Sequence, residues 1–473
     1  MSDPRLRALP AVHRLIDDDH LTLLRERYGR ETVARAARII LDKLRERLQA
    51  PGGNPEAVDV SLAAIVASVA DLVERPRLGL RPVLNATGIL LHTGLGRAPL
   101  APEAIEAIRA VASGYCNLEI ELATGQRGRR TSSVASLLRD LTGAEAATVV
   151  NNNAGATVIA LRALAFGREV IVARGQLIEI GGSFRLPEIF EVSGASLREV
   201  GTTNRTRLAD YERAITAETA ALLRVHPSNY RVVGFTESVE IAPLAALARS
   251  RGLAVIDDLG SGAIAPGLPP VAVGEPTFAE SLNANVDLAL GSGDKLLGGP
   301  QCGILLGTQA AIARVESDPL MRALRVDKLK LAALEATLRL ALDPQRGRAR
   351  IPLWSFLTTE VSTLHERAER LSATLCRVGL AAKPVPSRAA IGGGSVPGEE
   401  IPSAAVRIGP PWPGECRTVD EWAGTLRLGV PSVVGRVQEG ALLFDLRAID
   451  PADDDRLADA IMGAGRTPGG VVA

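Results

Sequence analysis

The segment 286–300 constrains this chain more than any other. An apolar run, Val286-Asp287-Leu288-Ala289-Leu290, delivers Gly291-Ser292-Gly293-Asp294-Lys295 and then Leu296-Leu297-Gly298-Gly299-Pro300. A lysine carried into a Gly-rich turn at the end of a strand is an amine held close to a flat ligand. Such a site calls for an α/β scaffold with its ligand at the strand carboxyl ends. Apolar strand patterns at 146–150, 169–173, 220–225 and 253–256 alternate with helical ones, as at 157–166. That alternation predicts a mostly parallel sheet covered by helices.

Two further segments fall in a telling order around Lys295. Asn151-Asn152-Asn153-Ala154-Gly155-Ala156 follows the strand 146–150 and opens a helix, where backbone N–H groups meet an anion. Asp257 and Asp258 end the strand 253–256 and precede Leu259-Gly260-Ser261-Gly262, so one of the two faces a ligand. Ser292 adds a hydroxyl three residues before the lysine. Singly, these are a solvated lysine, an N-cap and a loop start. Together, in the order phosphate turn, acid, lysine, they match what pyridoxal phosphate needs: a held phosphate, a carboxylate on its pyridine nitrogen and an amine for its aldehyde. Lys295 is therefore the candidate Schiff-base lysine, and Asn152, Asn153, Ala154, Gly155 and Ser292 are the candidate phosphate contacts.

At 473 residues the chain exceeds what one core usually holds. Residues 1–80 read as a helical domain, with apolar periodicity in Val33, Ala36, Ala37, Ile40, Leu41, Leu44 and Leu48, a break at Pro51-Gly52-Gly53-Asn54-Pro55, and a further helix over 57–73. Residues 81–343 read as the large α/β domain. Residues 344–473 read as a smaller α+β domain, with a helix over 361–376 and strands near 404–408 and 441–446. The Gly/Pro-rich stretch 384–413 reads as containing turns rather than as a disordered linker. Aromatic residues make up only 3% of the chain, so Leu, Val, Ile and Ala must fill the cores.

No apolar run reaches the roughly 20 residues that span a bilayer, and the start lacks the apolar stretch of a signal peptide, so a cytoplasmic protein is expected. Cys116, Cys302, Cys376 and Cys416 are too scattered for a metal site, Cys302 reads as a small buried residue, and no metal is expected. Lys and Arg balance Asp and Glu at 54 each, which selects no partner. Locally, Arg25, Arg27, Arg30, Arg35, Arg38, Lys43, Arg45 and Arg47 outnumber the acids among them and give the first helices a basic surface.

The runs Asn85-Ala86-Thr87-Gly88-Ile89-Leu90-Leu91-His92-Thr93-Gly94-Leu95-Gly96-Arg97, Gly201-Thr202-Thr203-Asn204-Arg205-Thr206 and Ser228-Asn229-Tyr230-Arg231-Val232-Val233-Gly234-Phe235 resemble the bacterial selenocysteine synthase family, the L-seryl-tRNA(Sec) selenium transferases. So do Asp258-Leu259-Gly260-Ser261-Gly262, the run 292–301 and Ile391-Gly392-Gly393-Gly394-Ser395. The resemblance spans essentially the whole chain. It implies a fold-type I pyridoxal-phosphate transferase fold and conversion of L-seryl-tRNA(Sec) to L-selenocysteinyl-tRNA(Sec), with selenophosphate as donor and a cofactor-bound dehydroalanyl intermediate. It further implies that the N-terminal helices recognise the tRNA and that Arg97, Arg322 and Arg325 serve the selenium-donor pocket; Asp294, adjacent to Lys295, is the candidate to tune or position it. A homodecamer with active sites at subunit interfaces is also implied. Asp258, which opens the family-like run, is then the expected pyridinium partner, with Asp257 on the opposite side of the strand. The segment 174–179 is the candidate for stacking on the ring.

Three other readings fit less of the chain. A pyridoxal enzyme for a small amino acid or amino sugar has no use for the N-terminal helices, and a non-enzymatic RNA-binding protein leaves the ordered cofactor elements unexplained. A metal-dependent hydrolase built on Asp257 and Asp258 lacks nearby His or Cys ligands.

Overall fold

A computed structural model describes residues 4–49, 59–74, 79–180, 184–267, 269, 274–412, 416 and 418–464. Its centre is a seven-stranded sheet in the spatial order Ala146–Val150, Gly303–Gly307, Leu288–Ser292, Ala254–Gly260, Thr219–Val225, Glu169–Ala173, Ser196–Val200. Gly303–Gly307 runs antiparallel to both neighbours, and the other pairings are parallel. Helices cover both faces, which is why these strands read as nearly continuous apolar runs. One face packs Val150, Val172, Leu223, Ile256 and Leu290 against Ile159, Ala160 and Leu164 of the helix Asn153–Ala165. The other packs Val149, Ile171, Leu222, Val255 and Ala289 with residues of Ser132–Thr142, Ile241–Ser250 and Lys328–Ala341.

The C-terminal region forms a second, five-stranded sheet in the order Val83–Ala86, Ser432–Gln438, Ala441–Asp445, Glu400–Ile408, Ala382–Ala390. Val83–Ala86 comes from the start of the stretch read as the large domain, yet it pairs in parallel with Ser432 to Gly435. The stretch 384–413 does contain turns, at 393–398, and they join two nine-residue antiparallel strands that occupy most of the rest of it. Its prolines are tolerated by position. Pro384 and Pro386 lie on the edge strand, and Pro402 precedes Ala405–Ile408, the part of its strand that pairs with the inner neighbour. The helix Val361–Arg377 packs on this sheet through Leu364, Ala368, Leu371 and Leu375.

The N-terminal helices Val12–Ile16, Thr22–Tyr28, Arg30–Gln49 and Leu62–Glu74 enclose their own core of Leu15, Leu21, Val33, Ala37, Leu41, Ile65 and Val69. The periodic apolar positions of the long helix are all buried, Val33, Ala36, Ala37, Ile40, Leu41 and Leu44 within this core. The second helix begins at Leu62 rather than near residue 57, and the break at 51–55 lies outside the described residues. Among the described residues no helix is long and apolar enough to cross a membrane, and no cluster of His, Cys, Asp and Glu is placed to hold a metal ion.

Candidate active site

Lys295 lies three residues beyond the strand Leu288–Ser292 and is 5% exposed. Its loop is pinned by Leu296 N donating to Ser261 O at 2.9 Å, Gly298 N to Lys295 O at 2.8 Å and Gly299 N to Gly293 O at 2.9 Å. A Cβ on Gly293 would collide with Cys302 Sγ and Pro300 O, so only glycine lets the loop fold this closely onto the segment 300–302. Lys295 Nζ donates to Gly394 O at 3.3 Å. Burial, then the charge of Arg97, hold the ammonium below the usual lysine value, against the pull of Asp258, Asp294 and Glu275.

The two strand-end aspartates separate as strand alternation requires. Asp258 accepts from Asn153 Nδ2 at 3.0 Å and from Thr157 Oγ1 at 2.9 Å. Burial pushes its carboxyl above the usual carboxylate range, an effect opposed by those two hydrogen bonds and the Lys295 charge. Asp257 is held by Arg224 through two bonds of 2.7 Å and by Ser281 Oγ at 2.5 Å. Both acids lie within the strand Ala254–Gly260 rather than after it.

Asn152 caps the helix Asn153–Ala165, its side chain accepting from Gly155 N at 2.8 Å, while Ala156 N donates to Asn152 O at 3.1 Å. The N–H groups of Asn153 and Ala154 are then those of the first turn left to meet an anion. Asn151 N donates to Leu324 O at 2.8 Å, and Val150 bridges to Arg325, so the arginine-bearing segment packs beside the turn. A Cβ on Gly155 would come within 3.1 Å of Leu324. Arg322 and Arg325 are exposed and carry no side-chain partner among the described residues. Arg97, in the left-handed conformation with φ 61°, reaches Asp294 at 2.7 Å.

Ser292 is buried at the end of its strand, where a Cβ on Gly262 would strike its backbone. The segment 174–179 is engaged elsewhere: Arg174 pairs with Glu199 at 2.9 Å, Gln176 Oε1 accepts from Val225 N at 3.1 Å, and Gly175 O accepts from Tyr230 Oη. Gly175 and Gln176 line a cavity of about 990 Å³ with His226, Tyr230 and Glu275, beside the Lys295 site. Cys302 is buried, and burial pushes its thiol up to about 12, which leaves it inert.

Sequence reasoning gave no role to Thr157, Ser228 or Glu275. Thr157 was detectable, since it stands four residues after Asn153 on one helix face. Ser228 Oγ is buried without a partner among the described residues, and a Cβ on Gly394 would lie 3.1 Å from it and 3.2 Å from Lys295 Nζ. A Cβ on Gly260 would lie 3.8 Å from the same amine. A space walled by side-chain-free residues, with a buried lysine, a buried acid and a helix N-terminus around it, fits pyridoxal phosphate.

Residues 83–450 match the family described as L-seryl-tRNA selenium transferase, and residues 6–45 match the selenocysteine synthase N-terminal family. The L-seryl-tRNA(Sec) selenium transferase of Hyphomonas neptunium is 45% identical over 457 residues, covering 96% of this chain and 98% of that protein. Its counterpart in Moorella thermoacetica is 46% identical over 467 residues, covering 97% of each. The solved structure of D-glucosaminate-6-phosphate ammonia-lyase aligns at TM-score 0.59 and 20% identity, over 82% of this chain and 97% of that one. That likeness is one of fold, the fold-type I scaffold expected from the sequence.

Proposed function

This chain belongs to the L-seryl-tRNA selenium transferase family, and from that premise we propose how its residues perform the reaction. The enzyme converts L-seryl-tRNA(Sec) to L-selenocysteinyl-tRNA(Sec). Near-full-length identity of about 45% to transferases of that name carries this reading. Selenophosphate is the donor.

Pyridoxal phosphate, when bound, supplies the electron sink that makes the seryl Cα–H acidic and lets the β-hydroxyl leave. Lys295 Nζ would anchor its aldehyde, and the neutral amine of Lys295 would be the base that takes the seryl Cα proton. Burial suits this second role, because an ammonium kept below the usual lysine value yields a larger fraction of neutral base near pH 7. Asp258, fixed by Asn153 and Thr157, would be the carboxylate that pairs with the cofactor's pyridine nitrogen. Asn153, Ala154 and the rest of the helix N-terminus, with Ser292, would hold its phosphate. Asp257, already paired with Arg224, keeps the strand end in place rather than touching the cofactor.

Arg97, Arg322 and Arg325 bind the donor's oxyanions, for which a planar guanidinium offers paired hydrogen bonds. Asp294 aims Arg97 at the amine's side of the site. On the long N-terminal helix Arg35 and Arg38 are exposed without an acceptor among the described residues, which supports tRNA phosphate contact by this domain. Exposed Tyr115, Leu122, Val233 and Phe235, in a chain with few aromatics, support self-association into the family's ring.

The test incubates purified protein with seryl-tRNA(Sec) or seryl-tRNA(Ser), plus selenophosphate, and identifies the aminoacyl product. Selenocysteine should appear only on tRNA(Sec). Unchanged serine on both, with the cofactor bound, would overturn the reading.

A further inference from the structure

Glu275 takes no part in the reaction as derived, yet it is a buried carboxylate, 5% exposed, close enough to Lys295 for its charge to act on the amine. Its Oε2 accepts from Val396 N at 3.0 Å and lies 3.4 Å from His226 Nε2, while its Oε1 is buried without a partner among the described residues. Val396 belongs to the loop that leaves the strand Ala382–Ala390 of the C-terminal sheet and crosses to the Lys295 site.

That loop is held in an unusual course. Gly392, Gly393 and Gly394 have φ of 75°, 64° and 75°, and Val396 follows with φ 46°. Glycine adopts this left-handed region freely, but a β-branched residue there is an outlier that persists only where its surroundings impose it. The Glu275 carboxylate on Val396 N is one such restraint. Ser395 N donating to Gly392 O at 3.1 Å is another. Between them lies Gly394, whose carbonyl accepts from Lys295 Nζ and whose missing side chain leaves room beside Ser228 and the amine.

We propose that Glu275 is a positioning residue that latches the Gly392–Val396 loop onto the large domain and so holds the Gly394 carbonyl over Lys295. The latch joins two regions of the chain across the working amine. It rests on Lys295 being that amine.

Two conservative variants separate the latch from the charge. Glu275→Asp keeps the charge but withdraws it by one methylene from Val396. Glu275→Gln keeps an acceptor oxygen but loses the charge. Amide hydrogen exchange is measured on the cofactor-loaded full chain for peptides covering 391–399, and Lys295 acetylation against pH is measured on the cofactor-free chain.

Glu275→Asp should speed exchange at Gly394 to Val396 about tenfold while leaving the Lys295 labelling midpoint near wild type. Glu275→Gln should leave exchange near wild type and move the midpoint to lower pH. Wild-type exchange in Glu275→Asp overturns the latch, and so does faster exchange spread evenly over the whole chain. Borohydride fixation of the cofactor reports separately on Lys295. Label on another lysine would remove the premise without touching the exchange result.

Discussion

Around Lys295 the charges are buried and already answered from within the chain: Asp258 by Asn153 and Thr157, Asp257 by Arg224 and Ser281, Asp294 by Arg97. Beside the same helix N-terminus Arg322 and Arg325 are exposed and have no side-chain partner among the described residues. The first region is set by folding, before any ligand arrives. The second is left for a ligand to complete. A buried charge without a partner would be costly, whereas an exposed arginine costs little and stays free to bind an oxyanion that comes and goes. Substitutions should therefore act differently at the two places, through chemistry or stability at the buried one and through substrate binding at the exposed one.

The largest effect belongs to Lys295. Lys295→Ala should lower turnover by at least about 10³-fold, as expected for removing both the anchor and the base, and should leave tRNA(Sec) affinity unchanged. In the cofactor-free wild type, Lys295 should label with acetic anhydride at lower pH than ordinary lysines. The sign follows from its lowered pKa, which makes the neutral, reactive amine appear at lower pH. A labelling midpoint at the usual lysine value would contradict the burial argument.

The two aspartates sharpen the contrast within the buried region itself. Asp258→Asn should cut turnover about 10²-fold, the scale of losing one preorganised electrostatic contact, with little change in melting temperature. Asp257→Asn should do the reverse. It leaves the Arg224 guanidinium, on a side chain 14% exposed, with a neutral partner and should cost about 3 kcal/mol of stability. Thermal melts and steady-state rates on both variants decide between them. Loss of activity in folded Asp257→Asn, with Asp258→Asn unaffected, would exchange their roles.

At the exposed rim the changes should be smaller and confined to the donor. Arg322→Ala and Arg325→Ala should each raise the selenophosphate concentration for half-maximal rate about tenfold, the worth of one charge-assisted hydrogen bond. Neither should alter melting temperature or seryl-tRNA affinity. A stability loss comparable to that of Asp257→Asn would mean the rim is structural after all.

Much of this site was legible because its signals are local. The strands Ala146–Val150 and Glu169–Ala173 match their predicted bounds, since both faces of such strands are covered and the run is apolar throughout. The order of asparagine turn, acid and lysine survives in space because parallel strands bring their carboxyl ends to one edge. What was not legible depends on distant pairing. The four-residue strand Val83–Ala86 gains its identity from Ser432–Gln438, far along the chain. Prolines in Ala382–Ala390 and Glu400–Ile408 resemble turn signals until the edge position is known. Glu275 meets Val396 across 121 residues, a contact no local pattern encodes.

The smallest effect tests whether the helix N-terminus belongs to the built region or to the ligand-completed one. Asn152 spends its side-chain oxygen on Gly155 N and its carbonyl on Ala156 N, so it acts as a cap, while the neighbouring Asn153 and Ala154 N–H groups remain for the phosphate. Asn152→Ala should then cost about 1 kcal/mol of stability, the usual worth of a cap, and weaken cofactor affinity only a few-fold, because the phosphate donors are backbone and survive the change. Adding saturating cofactor should recover part of the lost melting temperature through mass action. If Asn152→Ala instead leaves stability untouched and loses cofactor affinity a hundredfold, Asn152 is itself a phosphate ligand and the turn belongs with the arginines, completed only when its anion is bound.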